Sequence, residues 1–154
     1  MIDNNKLLDT INDLIEDSKD DEEGFIDSAE KVTDQRLKDF FLLRSKQVAE
    51  RVRDLQGLVE SFDGIPATTT SLSGTLHRKW IDLKSALSLN DNLAVINQTE
   101  LDEQLTLSAY DEALSLEIPP DAEILLSRQF EILKQNHQRL VELRAIFAQE
   151  AAAH

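Results

Sequence analysis

Four long stretches of this chain repeat apolar residues in steps of three and four, and that spacing confines it to a helical bundle. Such steps place side chains on one face of a helix, and an apolar face has to be buried against another element. The two-residue alternation of strands is absent. Four Gly and three Pro in 154 residues leave long segments unbroken. A chain of this length is expected to form one domain, residues 1–154, with a substantial core.

The first helix is expected over about 3–32, with Leu7, Leu8, Ile11, Leu14, Ile15, Ser18, Glu22, Phe25, Ile26 and Ala29 on one face. Gly24 falls inside it at a local cost of roughly 1 kcal/mol against Ala. Thr33 then reads as an N-cap, with Asp34 in the first turn of a second helix over about 34–62. Its stripe is Leu37, Phe41, Arg44, Val48, Val52, Leu55, Val59 and Phe62. So tight a joint makes an antiparallel hairpin. Gly64, Pro66 and three threonines mark a loop, followed by a short helix over about 71–87 with Leu72, Leu76, Trp80 and Leu83 on one side. Asn90 or Asp91 caps the next long helix, about 91–116. Pro119 and Pro120 end that run and lead into the last, about 121–152. Two hairpins joined by a long crossover containing a short fifth helix form the ferritin-like version of an all-α four-helix bundle. An up-down bundle with a decorated loop is the competing topology.

The formal charge of −14 disfavours nucleic acid and anionic membrane surfaces, while cationic partners and metal ions are electrostatically allowed. A homo-oligomer through helix faces is compatible with the pattern. The chain has no Cys, which excludes disulfides, thiolate metal sites and Cys nucleophiles. It has no phosphate loop, dinucleotide fingerprint or H-E-x-x-H. The opening residues show no basic stretch leading into an apolar run, so neither a signal peptide nor a membrane span is expected, and the expected location is cytoplasmic.

The chemistry lies where the stripes break. Ser18 and Glu22 interrupt the first helix, Arg44 the second and His137 the last, between Leu133 and Leu140. The fourth segment reads Ile96, Glu100, Glu103, Leu107, Tyr110, Leu114, with two carboxylates on the face that ought to be buried. Burying them costs several kcal/mol unless a cation, a hydrogen bond or a metal answers them. Two answers are available. Arg44 can neutralise one glutamate as a bidentate pair while His137 donates to the other, closing a structural network. Alternatively Glu100, Glu103, His137 and Glu22 ligate iron, manganese or zinc. Arg44 competes with a metal for the same carboxylates, which favours the network. Tyr110 bonds a carboxylate, acts as a redox-active neighbour or, most commonly for such a residue, fills core. Glu16, Asp20 and Glu23 read as a solvated face. His77-Arg78-Lys79-Trp80 reads as a tryptophan anchor with solvated cations.

Glu23-Gly24-Phe25, the run from Leu76 to Lys84, Glu100-x-x-Glu103, the run Ala109-Tyr110-Asp111-Glu112-Ala113-Leu114, and His137 occur in that order. Together they resemble a bacterial family of uncharacterised ferritin-like four-helix-bundle proteins, known as a domain of unknown function. The likeness covers nearly the whole chain. It implies a ferritin-like fold and a metal-handling or stress role, with no established activity. It also points to Glu23 as the ligand on the first helix, where periodicity points to Glu22. Members often show Glu-x-Gly-Glu where this chain has Glu100-Leu101-Asp102-Glu103. The residues three before His137 and His77 are Lys134 and Gly74, so the Glu-x-x-His of di-iron members is missing. A non-enzymatic protein is the expectation.

Overall fold

The computed structural model describes residues 1–70 and 91–153. The expected short helix over about 71–87, with the His77–Trp80 cluster, lies outside the described residues. Within them the chain forms four helices and no strand: α1 (Asn4–Lys31), α2 (Gln35–Ser61), α3 (Asn92–Leu114) and α4 (Pro120–Ala152). No helix among the described residues is long and apolar enough to cross a membrane.

Each start follows from a local side chain. The Asp3 carboxylate accepts the Lys6 N–H at 2.8 Å and caps α1. Asp91 accepts from Ala94 at 3.1 Å and caps α3, while Pro120 supplies the preset first residue of α4. The N-cap of α2 is Asp34, which accepts from Arg36 N–H at 2.8 Å, not Thr33 as expected. Thr33 is engaged elsewhere. Its N–H donates to Asn92 Oδ1 at 2.9 Å, and Asn92 Nδ2 donates to its hydroxyl at 3.0 Å. The hairpin turn is thereby tied to the start of α3.

Contacts at the helix ends fix the directions. Thr33 meets Asn92 at one end of the α1–α3 pair, and Ile2 N–H donates to the Glu117 carbonyl at 2.9 Å at the other. Hence α1 and α3 run antiparallel. Arg36 meets Glu150 at 2.8 Å, and the α2 carbonyl of Arg51 accepts from Gln129, so α2 and α4 are antiparallel too. With two hairpins, the order of directions is up, down, down, up. Chain leaves α2 beside Asn4, whose side chain donates to the Phe62 carbonyl, and enters α3 at the opposite end, beside Thr33.

The end of α2 is a Schellman turn. Asp63 N–H donates to the Glu60 carbonyl and Gly64 N–H to the Val59 carbonyl, both at 3.0 Å. Asp63 takes the left-handed conformation, with φ 63°. That conformation costs a non-glycine residue roughly 1–2 kcal/mol, although Asp tolerates it better than most. Asp63→Gly should therefore raise stability by about 0.5–1 kcal/mol after the extra unfolded-state entropy of glycine is subtracted. A higher urea midpoint at unchanged slope is the expected observation. Gly64 cannot be exchanged in the same way, because a Cβ there would meet Leu8 Cδ2 at 2.6 Å and Val59 Cγ1 at 2.9 Å.

Core side chains come from every helix, among them Ile11, Ile15, Phe41, Leu55, Ile96, Leu126 and Leu140. Phe41 is fully buried and sits 5.5 Å from the Phe40 ring and 6.1 Å from Phe25. Some expected stripe members turn out otherwise: Ile26 is exposed, and Leu8, Phe62, Leu107 and Leu114 are only half-buried.

Candidate functional site: a buried ionic layer and its cavity

Glu103 on α3 is the hub of the first polar group. Its Oε1 accepts from Arg44 Nη1 of α2 at 3.3 Å, and its Oε2 lies 3.1 Å from His137 Nδ1 of α4. The second guanidinium arm of Arg44 donates to the backbone carbonyl of Asn136, and the group stacks over Phe40 at 4.7 Å. Three helices are joined at one carboxylate. Burial pushes the Arg44 pKa down to about 10, against the opposing pull of Glu103. The guanidinium is still charged at neutral pH. The hydrogen bond to Glu103 raises the His137 pKa above its ordinary 6.5.

This differs in detail from the expected network. Arg44 and His137 converge on the same glutamate, one on each oxygen, rather than taking one glutamate each. Glu100 pairs instead with Arg144 of α4. Both glutamates lie at the edge of the buried face, with side chains 12 % and 11 % exposed. The centre of that face belongs to Thr99, Asp102, Thr106 and Tyr110, all buried.

Arg51 organises a second group, one that the sequence reading missed. Its Nη2 donates to Asp21 Oδ2 of α1 at 3.0 Å, and its Nε to the Ser18 hydroxyl at 3.1 Å. The Thr106 hydroxyl of α3 donates to the same Asp21 oxygen at 3.1 Å. Tyr110 lies beneath the Arg51 guanidinium, 6.0 Å from it, and stacks on Phe130. Its hydroxyl donates to Gln129 Oε1 at 2.8 Å, not to a carboxylate. Complete burial pushes its phenol up to about 12.

On α1 the carboxylate that joins the network is Asp21, one position before Glu22 and two before Glu23. Asp21 is buried, Glu22 is half-buried and Glu23 is exposed. Ser18 to Phe25 spans seven residues, so both Asp21 and Glu22 satisfy a three-four step, and the sequence cannot choose between them. Asp20 is also corrected: at 3 % exposure it is buried, not part of a solvated face. Among the described residues no three His, Asp or Glu side chains are placed to hold a metal ion. Of the expected ligands, Glu103 and His137 meet at 3.1 Å, while Glu100 pairs with Arg144.

Beside Arg44 and Arg51 opens a cavity of about 250 Å³, lined by all four helices. Asp21, Asp102, Thr99 and Thr106 lie in its buried part, and Gln47, Glu50, Asp54 and Ile132 are its exposed members, on α2 and α4.

The family model for the domain of unknown function DUF2383 matches residues 6–116. The chain belongs to this family. The DUF2383 match spans α1, α2 and α3, and so includes Asp21, Arg44, Arg51, Asp102 and Glu103. His137, Gln129 and Arg144 lie beyond it, on α4. The resemblance to an uncharacterised domain family is thereby supported. No curated protein matches the DUF2383 chain.

Acidic groups on α1 give this DUF2383 bundle a pH dependence with a definite sign. Burial, then Asp13 and Glu16, raise the Asp17 pKa from 3.8 to about 6. A raised folded-state pKa stabilises fully below the unfolded value, and that stability is lost as pH climbs through the folded value. Asp17 therefore costs stability between 3.8 and about 6. The His137 contribution is complete below 6.5 and is lost above it. Both act in one direction: Asp17 lowers the melting temperature as pH rises from 3.8 to about 6, and His137 lowers it further as pH rises above 6.5. Asp17→Asn should flatten the acidic part of that profile.

Proposed function

We propose that the protein is a non-enzymatic, ferritin-like helical bundle, one domain over residues 1–154, whose buried ionic layer fixes the pairing and register of its helices. The observation that carries this is Glu103: Arg44 holds one oxygen from α2 and His137 the other from α4. Each partner sits at one height on its helix, so a shift of register would leave a charge buried without its counter-ion. The up, down, down, up order of the helices, with the two hairpins joined end to end, agrees with a ferritin-like topology.

The competing role is metal handling by the same carboxylates. Elemental analysis of protein from metal-supplemented growth, with melting curves in added iron, manganese or zinc, separates the two. The expected result is substoichiometric metal and an unmoved melting temperature. Stoichiometric metal that is lost in Glu103→Gln, together with a melting rise, would overturn the structural role.

A further inference from the structure

The cavity beside Arg44 and Arg51 has chemistry that the network does not use. Its lining brings five carboxylates, Asp21, Glu50, Asp54, Asp102 and Glu103, against two guanidiniums. Both guanidiniums already face carboxylates, Arg51 on Asp21 and Arg44 on Glu103. An anion entering would meet a lining with an excess of negative groups, and the −14 charge of the chain would steer it away. A cation is drawn in.

The lining also says which kind of cation. Phe25, Val48, Ile132 and Leu133 form an apolar wall. A bare metal ion gains nothing from such a wall, whereas a chain of methylenes gains roughly 0.8 kcal/mol for each one buried. At the exposed rim, Glu50 and Asp54 stand four residues apart on α2 and so share one side of the helix. They suit an ammonium group, which has three donors and no acceptor. Deeper in, the Thr99 and Thr106 hydroxyls and the Gln129 amide add further acceptors. We propose that this cavity binds a small aliphatic diamine, with one ammonium at the Glu50–Asp54 rim, the methylenes on the apolar wall and the other ammonium inside. A volume of about 250 Å³ matches a ligand of a few heavy atoms rather than a drug-sized one.

The probe is putrescine, the four-carbon diamine, titrated calorimetrically into the full chain at fixed ionic strength. Saturable binding at one site per chain, with a rise in melting temperature, is expected. Glu50→Gln combined with Asp54→Asn should weaken it at least about tenfold, the equivalent of 1.4 kcal/mol. Ile132→Trp, at the exposed rim, should block it sterically. These positions are exposed and lie outside the Glu103 and Asp21 groups, so the variants fold, and failure here leaves the structural role of Glu103 untouched. Three outcomes would overturn the proposal: no saturable heat, a melting rise that sodium chloride reproduces at matched ionic strength, or undiminished binding in both variants. Magnesium alone displacing putrescine at equal concentration would also overturn it, by assigning the site to a metal.

Discussion

Arg44→Met should destabilise the bundle by about 3–5 kcal/mol, because it removes the cation from a buried pair and leaves Glu103 without it. The side chains of the pair are only 6 % and 11 % exposed, so water does not replace the lost partner. The carbonyl of Asn136 loses its donor as well. What remains on Glu103 is His137, and that predicts the shape of the defect. His137 compensates only while protonated, so the variant should be least impaired at mildly acidic pH. The loss should deepen as pH rises through the raised His137 value. Adding Glu103→Leu to Arg44→Met should recover part of the loss, since an apolar pair of similar shape costs less than a lone buried charge. Chemical denaturation at two pH values checks all three statements. A pH-independent loss under 1 kcal/mol would mean that the pair is not holding the helices.

Why Arg44 was visible in the sequence and Arg51 was not is a matter of helix geometry. On α2 the inward positions Leu37, Phe41, Val48, Val52, Leu55 and Val59 are all apolar, so the stripe is unambiguous and Arg44 stands out as its interruption. Arg51 neighbours Val52, and both satisfy the step from Val48. A long arginine beside an apolar residue reads as solvent-facing, yet its guanidinium reaches inward to Asp21.

On α3 the same logic fails for the opposite reason. Its buried positions are Val95, Ile96, Thr99, Asp102, Thr106, Tyr110 and Ala113, and the middle of that face is small and polar. A pattern sought in apolar residues locks instead onto Leu107 and Leu114, which are only half-buried. The face is thereby rotated by about one residue. That rotation put Glu100 and Glu103 at the centre and hid Asp102, which is 1 % exposed. Glu103 survived the error because a long side chain at the edge of the face still reaches the interior. The starts of the four described helices depend less on phase, since Asp3, Asp34, Asp91 and Pro120 mark them by local chemistry that needs no tertiary partner, although at α2 the sequence pointed to Thr33 as the cap.

The Arg51 group offers the sharper test of whether the interior is one network or two. Arg51→Met should cost about 3–5 kcal/mol, as expected for breaking a buried pair whose side chains are 10 % and 7 % exposed. Asp21→Leu should be comparably harmful, because it strands the guanidinium. The double variant should be less destabilised than the sum, by a coupling of about 0.5–3 kcal/mol. The cycle with Arg44→Met is the informative one. Arg44 and Arg51 share no carboxylate partner among the hydrogen bonds described: one is held by Glu103, the other by Asp21. Their like charges still repel, and Arg51 helps to lower the Arg44 pKa. Removing one arginine should therefore relieve the other slightly. Arg44→Met with Arg51→Met would then strand two carboxylates independently, and their losses would add within about 0.5 kcal/mol. Strong non-additivity would show that the cavity between them transmits strain, and that the two groups act as a single polar core.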